Sequence, residues 1–382
     1  MKQQKKLAVV MVLLLVTMLF SACDKEKTMI EDEAKQKVEG DLMAISEAFS
    51  RSVDGMDLRD TLKDLLDPDK PELLVEYSRR LKDLKQMGGE ELMFQVQGME
   101  DGAAQKGSDT VKVKIYETYR VDGKKNLLIY WAEFRMSENG ARYSDLVFQE
   151  KREGNIILYY SPGLEPIADR VFQSIRAAYE KVGAILPGRP TRVVVKAYDD
   201  SGLFASFIKP SIGFDMAGWN EAGEAVKLNF GLQDWRGMGE AVMKNYLEHT
   251  LAHEITHLIS GEMSNNNLPY WFAEGLATYV DGSADGEMPS VTLDDLAGQN
   301  IENITDAGMI RQFYIDSGRY MTGLIQRKGI EEVIKLLGEM GAYPENLQDT
   351  GSSMESSNRI FEEIVTEDYG LDTRKFGELL LK

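Results

Sequence analysis

The sequence predicts an α+β protein in which N-terminal helices and an antiparallel sheet precede a small second sheet and a mostly helical C-terminal half. Three observations predict this order: helical spacing of apolar residues before residue 87, alternation of period two from Leu92, and helical spacing again after residue 231. The chain has 382 residues, of which 43% are apolar. That length and composition indicate a folded protein with two domains.

The composition excludes several kinds of partner and site. The formal net charge is −19, and nucleic-acid binding requires a basic face, so we expect no nucleic-acid partner. Cys23 is the single cysteine, which excludes an intramolecular disulfide and a cysteine-rich zinc site. The three histidines, His249, His253 and His257, fall within nine residues of one another and give the strongest chemical signal of the chain.

Residues 1–22 have the layout of a signal peptide. A lysine-rich start precedes an apolar run over Leu7–Phe20, and the small residues Ser21 and Ala22 then precede Cys23. The run is short for a membrane span. The Ser-Ala-Cys ending resembles the lipobox of bacterial lipoproteins. This resemblance implies cleavage before Cys23 and an extracytoplasmic protein held at the cell membrane by a lipidated Cys23. A plain signal peptide with an incidental cysteine is the alternative.

Residues 23–40 are charged and aperiodic, which predicts a tether, and residues 41–160 predict an α+β accessory domain. Two helices, separated at Asp67-Pro68, are expected before the strands, and Asp122-Gly123 and Asn139-Gly140 are hairpin signals. The predicted strands are Val111–Tyr116, Leu127–Phe134, Tyr143–Phe148 and Ile156–Tyr160. Their order after helices resembles the cystatin-like or NTF2-like group. The region shows no catalytic constellation, so we expect a binding or spacer role.

Residues 161–382 predict a second domain that begins after Ser161-Pro162-Gly163. An amphipathic helix over Ala168–Val182 precedes a strand over Thr191–Tyr198 and short strand-like pieces up to Gly231. Helical spacing then continues to the end of the chain. It predicts the helices Gly239–Gly261, Tyr270–Val280, Met309–Arg327, Ile330–Glu339, Ser356–Val365 and Thr373–Leu381.

The chemistry is concentrated in the helix predicted over Gly239–Gly261. His253 and His257 are four residues apart, which places both imidazoles on one helical face about one turn apart. Two imidazoles at this separation can bind one zinc ion. Glu254 projects about 100° round the helix from His253, where it can accept a proton from a metal-activated water. The segment is therefore an H-E-x-x-H motif.

A catalytic zinc site needs a third protein ligand, and here only a carboxylate remains. Glu274 is the one acid in the apolar segment Leu268–Tyr279, and it follows His257 by 17 residues, which allows a turn and an antiparallel helix. A lone glutamate among apolar residues is costly to bury unless it is paired or metal-bound. Glu262 and Glu240 are poorer candidates for the ligand. The alternative is that Glu274 faces solvent.

The two motifs together resemble the gluzincin-type metallopeptidases of the peptidase MA family. They read L-x-H-E-x-T-H over 251–257 and P-x-W-x-x-E-G-x-A-x-Y over 269–279. The resemblance covers about residues 160–380, and it extends more distantly to thermolysin. It implies Zn²⁺ held by His253, His257 and Glu274, and it implies Glu254 as general base in the hydrolysis of a peptide or protein substrate.

The resemblance has two further implications. Gluzincins bind substrate along an edge strand, which is expected near Ala217–Trp219 and the strand at Lys227–Phe230. They also place a hydrogen-bond donor against the oxyanion, and the segment Phe313–Tyr320 resembles the family helix that carries it. Tyr314 is the first candidate for this donor, with Tyr320 and Tyr279 as alternatives. A packing role is open for each of the three tyrosines.

His249 lies one more turn before His253 on the same face. A straight helix would separate His249 and His257 by about 12 Å, so all three histidines cannot easily bind one ion. His249 is therefore predicted either to support the site from outside the ligand set, or to face solvent or pack.

The predicted function is an extracytoplasmic, lipid-anchored zinc metallopeptidase. Two alternatives share the sequence pattern. One is a catalytically inactive, peptidase-like binding module, which the intact Glu254 argues against. The other is a metal-dependent hydrolase of a non-peptide bond.

Overall fold

A computed structural model describes residues 31–52, 58–100, 109–138, 140–211, 216–232, 235–284, 288–304, 306–346 and 350–382. The predicted signal peptide and Cys23 lie outside these ranges. The chain forms two compact units, one of residues 1–147 with Lys209–Ser211 and one of 148–208 with 212–382. The α+β class is confirmed, with an antiparallel sheet and a helical C-terminal half. None of the described helices is long and apolar enough to cross a membrane.

The N-terminal unit packs helices against one face of a four-stranded antiparallel sheet with the order β1-β2-β3-β4. Strand β2 alternates strictly between buried and half-buried residues, as expected when helices cover only one face. On the covered face the rings of Tyr77 and Tyr143 lie 5.1 Å apart, which joins α3 to β4. The elements of this unit are α1 over 31–51, α2 Arg59–Leu62, α3 Pro71–Gln86, β1 Glu90–Met99, β2 Thr110–Val121, β3 Lys124–Ser137 and β4 Gly140–Leu146.

Residues 31–40, predicted as part of a tether, are helical and belong to α1. Ala34, Val38, Leu42 and Ile45 are buried, and their spacing forms one apolar stripe along the helix. The other residues of 31–40 are mostly charged. Within residues 31–40 the apolar stripe consists only of Ala34 and Val38, so the charged composition masks the helical spacing.

The hairpin predicted at Asp122-Gly123 is confirmed between β2 and β3. Both residues have positive φ, 51° and 72°, as a two-residue turn with the twist of the flanking strands requires. Residue 139, the first of the other predicted turn, lies outside the described residues.

The C-terminal unit has a five-stranded mixed sheet with the order β5-β6-β7-β9-β8. Its strands are β5 Gln149–Glu153, β6 Ile156–Tyr160, β7 Val193–Tyr198, β8 Gly218–Trp219 and β9 Val226–Asn229. The middle three strands are parallel, and the two edge strands are antiparallel to their neighbours.

The boundary between the units lies at 147/148 and differs from the predicted 160/161. The segment Ile156–Tyr160, expected in the antiparallel meander of the first domain, pairs in parallel with β7 in the second sheet. All five of its residues are buried. Parallel strands covered on both faces are continuous apolar runs, so such a strand lacks the alternation that identifies the strands of the first sheet.

The C-terminal unit also contains nine α-helices in the described residues, and all but two match a predicted helix. The helix Leu293–Ala297 was not predicted, and Ser201–Ile208 is helical where strand-like pieces were expected. The helices are α4 Ala168–Ile185, α5 Ser201–Ile208, α6 Glu240–Met263, α7 Tyr270–Asp281, α8 Leu293–Ala297, α9 Ala307–Lys328, α10 Ile330–Met340, α11 Thr350–Tyr369 and α12 Thr373–Leu381. Helices α4, α6, α7 and α9 share one apolar core with one face of the sheet.

Candidate metal centre

A tight turn after α6 brings α7 back alongside it. Asn265 and Asn266 both adopt left-handed backbone conformations, with φ of 49° and 58°, which asparagine tolerates better than most residues. The side chain of Asn267 donates hydrogen bonds to the carbonyl oxygens of Met340 and Pro344, at 3.2 and 3.1 Å. This anchored turn sets the antiparallel path that places α7 against the histidines of α6.

The structure brings His253, His257 and Glu274 together. The Oε2 atom of Glu274 lies 3.2 Å from Nε2 of His253 and 3.4 Å from Nε2 of His257. One ligand atom from each residue lies within 4.8 Å of the other two. All three residues are half-buried. Glu240 and Glu262, the poorer candidates for the third metal ligand, are exposed on α6.

Asp281, at the end of α7, also contacts the cluster and was not among the predicted site residues. Its Oδ2 atom lies 2.9 Å from Nδ1 of His253, and its Oδ1 atom accepts a 2.7 Å hydrogen bond from the backbone N–H of Ser283. A carboxylate on Nδ1 holds an imidazole with Nε2 directed to the cluster. Asp281 follows Glu274 by seven residues, so both fall on one helical face, and this spacing was the available signal.

The pKa shifts of His253 and Glu274 are opposite, as expected for neighbouring groups whose charges stabilise each other. Burial lowers the pKa of His253, but hydrogen bonds to Asp281 and Glu274 outweigh burial and raise it to about 10. Burial raises the pKa of Glu274, but the neighbouring His257 and His253 outweigh it and lower the pKa to about 2. Three carboxylates surround two imidazoles here, because Glu254 is adjacent. Two imidazole nitrogens, one carboxylate and a surplus of negative charge form a donor set that fits a zinc ion.

Glu254 is buried beside an edge strand. Burial raises its pKa above the ordinary value, against the attraction of His253 and His257. A Cβ atom on Gly218 of β8 would lie 2.6 Å from Oε1 of Glu254, so only glycine allows this approach. Strand β8 occupies the edge of the described sheet, where the resemblance predicts it.

Of the three candidate tyrosines, Tyr314 lies at the cluster. Its ring centroid is 5.9 Å from that of His253. Burial raises the pKa of Tyr314 well above its usual value, and the carboxylates of Glu274 and Glu254 raise it further. A close approach of α7 and α9 places this ring, because a Cβ on Gly275 would lie 2.5 Å from the backbone oxygen of Ser317.

The other candidates lie elsewhere. The hydroxyl of Tyr320 donates a 3.0 Å hydrogen bond to the carbonyl of Val291, and its ring packs on Trp271 at 6.3 Å. Tyr279 packs against the apolar core. His249 is exposed on α6 and is outside the group of converging ligand atoms.

No protein-family model matches the chain, and no curated protein matches it significantly. Any functional conclusion therefore rests on the geometry of the site and on the motifs.

Proposed function

We propose that the protein is an extracytoplasmic, lipid-anchored zinc metallopeptidase of the gluzincin type, related to the peptidase MA family. One observation carries the proposal: His253 and His257 on α6 converge with Glu274 on α7 while Glu254 lies buried beside them. Two histidines, one carboxylate and a neighbouring base are the residues that metal-assisted hydrolysis requires.

Each residue has a role that follows from its position. A bound zinc ion would be held by His253, His257 and Glu274, and it supplies Lewis-acid activation of water and of the substrate carbonyl. Glu254 accepts the proton of the attacking water and delivers it to the leaving amine. Its raised pKa favours this exchange, because a general base works best when its pKa approaches the working pH.

Two more groups complete the proposed reaction. The hydroxyl of Tyr314 donates to the oxyanion that forms on the substrate, a role supported by the proximity of its ring to His253. Strand β8 lies at the sheet edge directly against Glu254, so an extended peptide that adds to this edge would pass the base. This arrangement favours a peptide bond over other hydrolysable bonds.

The finer fold assignments are also proposals. A gluzincin-type fold for the C-terminal unit is supported by the mixed sheet that precedes α6 and α7. A cystatin-like or NTF2-like fold for the N-terminal unit is supported by helices on one face of an antiparallel sheet.

The first experiment measures bound zinc by elemental analysis in the chain that begins at Asp24. This chain retains every element described above. The variant is Glu274→Ala, and the matched control is Glu262→Ala, which removes an exposed acid of α6. We expect about one zinc per chain in the parent and control and markedly less in Glu274→Ala. Equal zinc in all three would contradict Glu274 as a ligand. An absence of zinc in the parent after reconstitution would favour the binding module.

The lipid anchor has a separate test. After a high-salt wash, which weakens binding by charge, secreted full-length protein should remain with the membrane fraction and the Cys23→Ser variant should be released from it. Retention of the variant would contradict lipidation at Cys23.

A further inference from the structure

The outer face of the N-terminal sheet, opposite the helices, exposes a band of large apolar side chains. Met93 of β1 is 62% exposed, and Leu127, Ile129 and Trp131 of β3 are 52%, 45% and 42% exposed. They are four of the eight large apolar side chains exposed in the described part of the chain. Single exposed apolar residues are ordinary, but a shared face points to a binding surface.

The strand register makes these side chains neighbours. Thr118 pairs with Met93 on one side and with Leu127 on the other. In the next row of this face, Tyr116 pairs with Ile129, so its half-buried ring joins the band. Since side chains alternate, the residues between them point to the helices. We call Met93, Tyr116, Leu127, Ile129 and Trp131 the apolar band.

Cationic residues border the apolar band. In the strand register, Arg120 lies opposite Lys125 beyond one end of the band, and Lys114 lies opposite Trp131 towards the other end. Lys112 follows on the same face and pairs with Glu133. A chain of net charge −19 thus carries a local excess of cations along β2 and β3 of this face.

Two of these four cations have an acidic partner: Arg120 forms an ion pair with Glu91 at 2.7 Å, and Lys112 forms one with Glu100 at 3.2 Å. The other two, Lys114 and Lys125, form no ion pair within the described residues and are available to a ligand. The ammonium groups nearest the apolar band are therefore not neutralised.

We propose that the outer face docks on the surface of a bilayer that contains anionic phospholipid. Indole, phenol and aliphatic side chains partition into the interface of a bilayer, and nearby lysines are attracted to anionic headgroups. A soluble polyanion would engage the lysines but would leave Leu127, Ile129 and Met93 in water. A second copy of the chain would oppose the same cations and add its own net charge of −19. This proposal is independent of the peptidase reaction.

The test is co-sedimentation of the chain from Asp24 with sucrose-loaded vesicles, so that neither the leader nor Cys23 contributes. The vesicles contain phosphatidylcholine alone or with roughly one third phosphatidylglycerol. We expect binding to the mixed vesicles that weakens as salt rises. The double variant Leu127→Thr, Trp131→Thr should bind at least tenfold more weakly, and Lys114→Gln about fivefold more weakly. Threonine retains strand propensity.

The matched control is Met43→Gln. Met43 is 61% exposed on α1, outside the apolar band, so this variant should bind like the parent. Parent binding that is equal for both vesicle types would overturn the role of anionic lipid. Unchanged binding by the double variant would show that the apolar band is not the docking surface and would overturn the proposal. If instead sedimentation velocity shows a dimer that the double variant abolishes, without vesicle binding, a second copy occupies the face and the proposal is wrong.

Discussion

Two clusters, one around Glu117 in the N-terminal unit and one around His253 and His257 in the C-terminal unit, hold their acidic side chains by different means. In the N-terminal unit, Glu117 of β2 is fully buried, and both of its carboxylate oxygens have internal partners. Arg80 of α3 forms an ion pair with one oxygen, and the hydroxyl of Tyr130 donates a 2.8 Å hydrogen bond to the other. Folding alone completes this cluster, because the chain supplies the cation.

In the cluster around His253 and His257 the carboxylates outnumber the permanent cations. Glu254, Glu274 and Asp281 surround His253 and His257, which carry positive charge only when protonated. Such a surplus is costly unless a proton or a metal ion joins it. This difference distinguishes a structural cluster from a functional site. Closed ion pairs support a fold, whereas buried groups short of a counter-charge favour a functional role.

The largest expected effect comes from Glu254→Gln. If Glu254 is the base, hydrolysis of a peptide substrate should fall by about a thousandfold or more, while bound zinc stays at the parent level. Turnover and elemental analysis on the same samples measure both. Glu248→Gln, which alters an exposed acid of the same helix, should change neither quantity. Turnover at the parent rate in Glu254→Gln would remove the base from the mechanism.

Glu117→Gln tests the other side of the comparison. The variant leaves Arg80 buried without its counter-charge, which should lower the free energy of unfolding of the N-terminal unit by about 3–5 kcal/mol. If the C-terminal unit binds zinc as proposed, calorimetry with and without zinc identifies the transition of that unit, and that transition should not move.

The control for Glu117→Gln is Glu91→Gln. It breaks the exposed ion pair with Arg120 and should cost at most about 1 kcal/mol. Equal effects of the two substitutions would show that the buried pair is not structural.

Asp281→Asn tests the carboxylate that contacts Nδ1 of His253 in the C-terminal unit. The amide keeps the size of the side chain but weakens its hold on Nδ1 of His253, so zinc affinity should fall about 10- to 100-fold. Competition with a chromophoric chelator measures the affinity. Asp294→Asn, at an exposed acid on α8, serves as the control. An unchanged affinity would mean that Asp281 only anchors Ser283.

Features that depend on residues close together in the chain were predictable from the sequence. The positions of His253 and His257 follow from helical periodicity, and a lone acid in an apolar helix identified Glu274. Their grouping in the structure agrees with that spacing, and their role as zinc ligands stays a prediction. Longer-range partners were not predictable in this way. The parallel pairing of Ile156–Tyr160 has no local pattern that sets it apart from other apolar runs. The spacing of Asp281 from Glu274 places both acids on one helical face, but it does not indicate that Asp281 contacts His253.

Asp41 is an exception to the comparison, because it is a buried acid of the N-terminal unit without a closed ion pair. Burial raises its pKa to about 8, although the backbone N–H of Tyr143 and the charge of Arg142 act to lower it. Since the folded pKa lies above the unfolded value of 3.8, the stabilising contribution is complete below about pH 4 and is lost as the pH rises to about 8.

Asp41→Asn should therefore remove a pH dependence rather than simply raise or lower stability. The variant should gain on the parent by up to about 1.4 kcal/mol per pH unit between roughly pH 5 and 8, as measured by urea unfolding at several pH values. A constant offset from the new amide leaves this slope intact. Asp64→Asn, at an exposed acid close by, should show no such gain. A flat difference for Asp41→Asn would mean that folding does not raise the pKa of Asp41, and that the fold itself stabilises the ionised carboxylate.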